Sequence, residues 1–371
     1  MTTVMKASGS AEFLGLVPAL AGCTPTRSIA LLPFEGRRTH GALRLDLPDD
    51  PAEFAGQAVS LVRRVERTDA LALVVYCDED AQATPDGLVL PHAVLAESVI
   101  EAAEDQRLGI VDALCVTPGG WARYLDDDPV LHPLAGIPPL PPDVEPVIGD
   151  QSAGAELPAV DLAARERVGR ALADLDDVLR RIRTEPTAVG RRENPQAVAA
   201  AGLLEDLPEL YERALHLPDD PPPFLCAALL WLLDRPLYRD AALVQWATDR
   251  EGGARALDAR TGFREDGRLP PLGAGRVLTG EGPRPDLPRL RHALRTVRML
   301  AAIAPPAQRV GPLSLAAWLS WALGRSSHAA QHLAALHRIE PDHRFGRLLS
   351  ALMGVRPIPD WAFRGRGEDA A

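Results

Sequence analysis

Residues 132–146, HPLAGIPPLPPDVEP, carry six prolines in fifteen positions. Proline lacks an amide N–H and fixes φ, so neither a helix interior nor a central strand can run through this stretch. It divides the chain into parts with different hydrophobic periods. Two periods alternate before it, and everything after about residue 158 reads as helix. At 371 residues the chain is long enough for two or three domains. The expected layout is an acidic α/β domain over 1–130, a proline-rich linker over 131–158, and an all-α helical-hairpin part beyond.

In the first part, a helix is expected over about 10–22. It is followed by the apolar run Ile29-Ala30-Leu31-Leu32-Pro33-Phe34 and by HGALRLDLP (40–48), which alternates as a half-buried strand does. These two strands are read as a hairpin. Asp50-Pro51 opens a helix over 51–67, with Phe54, Ala58, Leu61, Val62 and Val65 on one stripe. ALALVVYC (70–77) is continuously apolar, as a strand covered on both faces is. A helix over 91–107, a strand over GIVDALCV (109–116) and an edge strand or hairpin arm in GGWARYL (119–125) complete the pattern. Strands joined by helices make parallel neighbours, so the expected fold is α/β: a mixed sheet of about 4–6 strands with flanking helices. Beyond the prolines, helices are expected over 160–184, 195–217, 223–249 and 286–354, making a helical region 159–250 and a hairpin region 285–361. The Gly/Arg-rich stretch 251–284 is expected as a loop, and 362–371 as a frayed tail.

The hairpin region contains an internal echo. Ala293, Val297, Leu300 and Pro305 recur 36 residues later as Ala329, Leu333, Leu336 and Pro341. This spacing resembles the second helix of a tetratricopeptide repeat, although ordinary helical hairpins would give it too.

The tetrad Leu20-Ala21-Gly22-Cys23 raises the question of a lipoprotein signal. Such a signal needs an uninterrupted apolar region after a cationic start. Here Ala7 to Glu12 is polar, and the apolar run from Phe13 to Ala21 is short and contains Pro18. A helix capped by Ser10, with Phe13, Leu16, Val17 and Leu20 on one face and Gly22 and Pro25 at its end, is the expectation instead. The longest apolar run, Phe224 to Leu233, is half of the roughly 20 residues a membrane span needs. The four cysteines, 23, 77, 115 and 226, show no CxxC spacing. A cytoplasmic protein without a membrane segment is therefore expected.

Charge is uneven. Residues 1–150 hold 10 basic and 23 acidic residues, net −13, whereas residues 282–371 hold 13 and 6, net +7. The acidic first part argues against nucleic acid as a partner there, because phosphate binding needs clustered cations. Lys6 is the only lysine among 40 basic residues, and the arginine excess reads as codon bias.

No GxSxG, Walker, GxGxxG, SxxK or HExxH motif is present. Candidate sites must come from position. Ligands collect at the carboxyl ends of strands in α/β sheets, which singles out Tyr76, Asp78 and Asp80. The two acids either bind a divalent ion or act as acid and base, or simply line a solvated loop. Arg44 and Asp46 share a strand face and either pair or line a site. Trp121 and Tyr124 beside Arg123 read as a ligand platform or as an anchor of the sheet edge. Asp126, Asp127 and Asp128 with His132 read as a hard-metal site or as a capped turn. Arg291, Arg295 and Arg298 line one side of a helix and could dock an acidic partner. His328, His332 and His337 lie roughly 100°, 60° and 80° from the buried centre of their helix, so they are expected on solvated flanks. Cys77 and Cys115 lie in buried strands, which argues against a nucleophilic role.

Taken together, LVPALAGCTPTRSIALL (16–32), LRLDLP (43–48), ALVVYCDED (72–80), VDALCVTPGGWARYLDDDP (111–129) and the closing Trp321-to-Trp361 pattern resemble the actinobacterial family called domain of unknown function 4192. The resemblance implies an architecture and no activity. Members often carry cysteines where this chain has Asp126 and Leu131-His132, so it transfers no metal or disulfide role to that loop. The leading expectation is a protein that works by binding, with a small ligand or a protein as its partner and no metal or cofactor. The alternative is a hydrolase or transferase using a divalent metal on Asp78, Asp80, Asp126 or Asp128.

Overall fold

The apolar run at residues 70–77 becomes the central strand of a six-stranded sheet, and the rest of the first unit is built around it. The computed structural model describes residues 7–363 apart from 40, 86, 143, 145, 185–192 and 269–274. The chain divides into two compact units, Met1–Ala153 and Gly154–Ala371.

In the first unit the order is α1 (Ser10–Ala21), β1 (Ser28–Glu35), β2 (Arg38–Thr39), β3 (Leu43–Asp46), α2 (Pro51–Arg63), β4 (Ala70–Tyr76), β5 (Gln82–Thr84), β6 (Gly87–Val89), α3 (Ala93–Asp105), β7 (Gly109–Thr117) and β8 (Gly120–Arg123). The sheet runs β2-β1-β4-β7-β8, with β3 paired to β1 beside β2. β1 is antiparallel to β3 and β4. Only β4 and β7, joined by α3, are parallel neighbours. Two strands joined by a helix are thus not always adjacent: β3 and β4 flank β1 on opposite sides.

Side chains alternate across the sheet. Ile29, Leu31, Leu71, Leu73, Val75 and Ala113 face α2 and α3. Ala30, Leu32, Ala72, Val74 and Leu114 face α1. Asp50 caps α2 by accepting from the amides of Ala52 and Glu53, with Pro51 in the first turn. Ser10 does not cap α1. Its hydroxyl donates to Asp112 at 2.6 Å, and the cap position is Gly9. Leu14 and Val17 are the buried residues of α1, so its inner face is rotated from the expected Leu16. Gly22 ends this helix at φ 72, a left-handed value that glycine adopts without strain. Residues 82–89 form a small antiparallel hairpin, β5-β6, that periodicity did not reveal.

The proline-rich stretch falls within the first unit and is not a free tether. Its first residue, His132, exchanges backbone hydrogen bonds with Trp121 on β8. A β-carbon added to Gly15 would lie 2.5 Å from the Pro138 carbonyl oxygen, so the segment packs directly on α1.

The second unit contains ten helices among the described residues: α4 (Leu162–Thr184), α5 (Pro195–Gly202), α6 (Leu207–Leu215), α7 (Pro223–Leu233), α8 (Pro236–Ala247), α9 (Arg250–Asp266), α10 (Leu287–Ile303), α11 (Val310–Ala322), α12 (Ser326–Ile339) and α13 (Arg344–Val355). The expected loop over 251–284 is therefore mostly wrong in its first half. Asp249 caps α9 at Gly252 N, 2.7 Å away. A β-carbon on Gly253 would sit 2.4 Å from Gln245 Cβ, so this glycine serves close helix packing against α8 and not a turn. The echo positions Ala293, Val297 and Leu300 on α10, and Ala329, Leu333 and Leu336 on α12, are all buried.

His332 also corrects an expectation. It is 3% exposed, not solvated, and its Nε2 has no hydrogen-bond partner. Burial, then the charge of Arg298 and His328, lowers its pKa to about 4. The folded state therefore prefers neutral imidazole. Below the ordinary value near 6.5, the unfolded chain takes up a proton that the folded chain refuses. This contribution is present above about pH 6.5 and is lost as pH falls toward about 4, amounting to up to about 3 kcal/mol. Denaturant midpoints measured across this window should fall more steeply for the wild type than for His332→Leu. Parallel curves would show that the residue does not carry the effect.

Candidate functional site

β4 and β7 are parallel, so their carboxyl ends lie at one edge of the sheet, where the loops 77–81 and 118–119 leave it. The residues expected there are divided between the sheet's two faces.

On the α1 face, Ser28 stands in register with both Asp46 and Tyr76. Arg44 and Asp46 form an ion pair of 2.7 Å, the arginine largely buried and the acid exposed. Burial, then Cys23, pushes the Tyr76 phenol up, so it stays protonated. Further along this face Trp121 is stacked on His132 with ring centroids 4.5 Å apart. Asp126 pairs with Arg123 at 3.0 Å, and Arg123 also donates to the buried Asp112 at 3.1 Å. Trp121 and Tyr124 therefore do not form one platform. Tyr124 faces the other side and donates its hydroxyl to the Pro91 carbonyl at 2.6 Å. His132 is engaged with Trp121, so the Asp126–Asp128 group and His132 do not converge on an ion.

The edge acids have separate tasks. Asp80 accepts from the Gly119 amide at 2.9 Å and so ties the loop after β4 to the β7-β8 turn. Asp78 is exposed and lies 3.7 Å from Arg27.

A concave feature lies beside them, on the α2/α3 side. A cavity of about 300 Å³ is lined by Glu79, Asp80, Gln82, Val89, Leu90, Pro91 and His92. The β5-β6 hairpin supplies one wall and the entry to α3 another. His92 precedes α3 at φ 55, in the left-handed region that costs a residue with a β-carbon about 1–3 kcal/mol. Tyr124 pins the Pro91 carbonyl, and His92 Nε2 lies 3.3 Å from Glu79 Oε2. The Glu79 carboxyl is held below its usual range by its own backbone amide and then by His92. Behind them, the Cys77 thiol donates to the carbonyls of Glu79 and Val116 at 3.6 Å, and Cys115 Sγ lies 4.0 Å from the Pro91 carbonyl. The neighbouring Cys115 and burial push the Cys77 thiol up. Cys115 is fully buried, so it meets no substrate.

A family model described as "Domain of unknown function (DUF4192)" matches residues 11–261, more than half of the chain. The chain belongs to this family. No curated protein and no solved structure matches it. The DUF4192 match runs from α1 into α9 and so contains the whole sheet and the cavity, while α10 to α13 lie beyond it. No helix among the described residues is long and apolar enough to cross a membrane.

Of Arg291, Arg295 and Arg298 on α10, the first two are exposed. Arg298 is not: burial lowers its pKa and its guanidinium donates to the Glu156 carbonyl. The sequence reading passed over Glu79, His92 and Asp112. A lone acid in the apolar run GIVDALCV was the available sign of Asp112, whose charge must be paired when buried. For His92 no local pattern existed, since its partners come from a different segment of the chain.

Proposed function

We propose that the α/β unit is a small-ligand-binding domain whose site is the cavity at the carboxyl edge of β4, and that the helical unit offers a surface to a protein partner in the cytoplasm. The cavity itself is the observation that supports this reading. Its volume of about 300 Å³ falls at the lower end of small-ligand sites, and its lining combines apolar Val89, Leu90 and Pro91 with polar Glu79, Gln82 and His92. Two acids in its lining, Glu79 and Asp80, favour a cationic ligand. The hydrolase alternative has less support, because Asp78 and Asp126 face Arg27 and Arg123 while Asp80 accepts from the Gly119 amide.

The test is a thermal-shift screen with a panel of cationic metabolites on the wild type and on Val89→Trp. Val89 is half-exposed at the cavity wall, so the larger ring blocks the space without disturbing the core. A true ligand at about 100 times its Kd stabilises the wild type by about 2.7 kcal/mol. That shift should vanish in the variant. Equal shifts in both proteins, or none across the panel, would sink the reading.

A further inference from the structure

Cys77, Glu79 and His92 place three unlike donors together at the edge of the cavity: a thiol sulfur, a carboxylate oxygen and an imidazole nitrogen, all within 4.8 Å of one another. Among the described residues no other set of three such groups converges this way. Two segments build it. Cys77 is the first residue after β4 and Glu79 lies in the following loop, while His92 is held at the entry to α3.

The spacing suits a tetrahedral ion. Zinc bonds of about 2.0–2.1 Å to nitrogen and oxygen put two such ligands about 3.3 Å apart, and a zinc–sulfur bond of about 2.3 Å puts sulfur about 3.6 Å from nitrogen. His92 Nε2 and Glu79 Oε2 already stand 3.3 Å apart. Cys77 Sγ is held by thiol hydrogen bonds of 3.6 Å to the carbonyls of Glu79 and Val116. A modest side-chain adjustment would bring it into range.

We propose that Cys77, Glu79 and His92 bind one zinc ion whose fourth position opens into the cavity. The assignment uses the cavity of the functional reading and names what its polar wall holds. A thiolate with an imidazole selects zinc over magnesium or calcium, which prefer oxygen-only sets. On binding, the Cys77 thiol gives its proton to solvent and its sulfur lone pair to the ion. The Tyr124–Pro91 hydrogen bond keeps His92 in place.

Equilibrium dialysis of the full chain against buffered zinc tests this directly. One zinc per chain is expected, with proton release. Cys77→Ser and His92→Ala should each weaken binding at least about tenfold, since even the loss of a residue that only orients a ligand does that much. Cys23→Ser, outside the set, should bind as the wild type does. Cobalt-loaded wild type should show a sulfur-to-cobalt charge-transfer band that is missing in Cys77→Ser. This spectrum reads thiolate ligation in the wild type alone, should the variant fail to fold. No stoichiometric zinc, zinc binding indifferent to both substitutions, tighter magnesium than zinc, or no thiolate band would each overturn the assignment. A zinc-free protein that still answers the metabolite screen sinks the metal and keeps the cavity reading. A zinc-binding protein that answers no metabolite does the reverse.

Discussion

Trp361→Ala should destabilise the helical unit by about 3–5 kcal/mol, the range for truncating a buried aromatic side chain. Trp361 is 1% exposed, and its indole N–H donates to the Ala322 carbonyl at 3.1 Å. Its ring meets Trp321 edge-on at 6.1 Å, and Trp321 meets Trp318 at 6.4 Å. Each of the three spends its N–H on a different segment: Trp318 on Leu278 O, Trp321 on Arg356 O. The cluster therefore fastens α11 to the chain before α10 and to the chain after α13. Alanine at 361 would leave a cavity and an unpartnered carbonyl. Urea unfolding followed by circular dichroism and tryptophan fluorescence reads the loss. A drop below about 1 kcal/mol would mean that the ring is not part of the core.

The second large effect is expected at Asp240. Its carboxylate accepts from Arg239 Nε at 3.0 Å and Nη2 at 2.9 Å, and also pairs with Arg260. Both Asp240 and Arg239 are under a tenth exposed, and the Arg239 guanidinium lies 3.6 Å over the Phe345 ring. Asp240→Ala leaves a buried cation without its partner, which costs about 3–5 kcal/mol. Removing both charges tests whether the orphaned cation is the cause. Arg239→Met combined with Asp240→Leu should recover most of the loss, since well-packed apolar pairs replace buried ion pairs at little cost. If the double variant is as unstable as Asp240→Ala, the effect comes from packing and not from charge.

The sheet was legible because a strand buried on both faces must be continuously apolar, and residues 70–77 are. The entry to α2 was legible because Asp50 and Pro51 act locally. What the sequence hid was non-local. Gly253 looks like a loop residue along the chain, yet its missing side chain matters because Gln245 of α8 lies against it. His332 sits at the edge of its helix's apolar stripe, and whether it meets water depends on the neighbouring helices. The proposed site residues chosen for charge, Asp78, Asp80 and Asp126, each take a different partner: Arg27, the Gly119 amide and Arg123. Position relative to the strand end pointed to the right edge of the sheet, but only the fold shows that His92 comes to Glu79.

The backbone exchange between His132 and Trp121 affects how this protein behaves among its own copies. A sheet ends in rows of unpaired amides and carbonyls, and such a row invites a strand from another molecule. At the β8 end, His132 occupies part of that row, and the prolines after it cannot continue a ladder. At the other end the outer positions are held by β2 and β3, of two and four residues, too short to template a long pairing. Both borders of the sheet are thus poor seeds for fibrils. Cleavage or loosening of the proline segment would free the β8 positions that His132 now occupies.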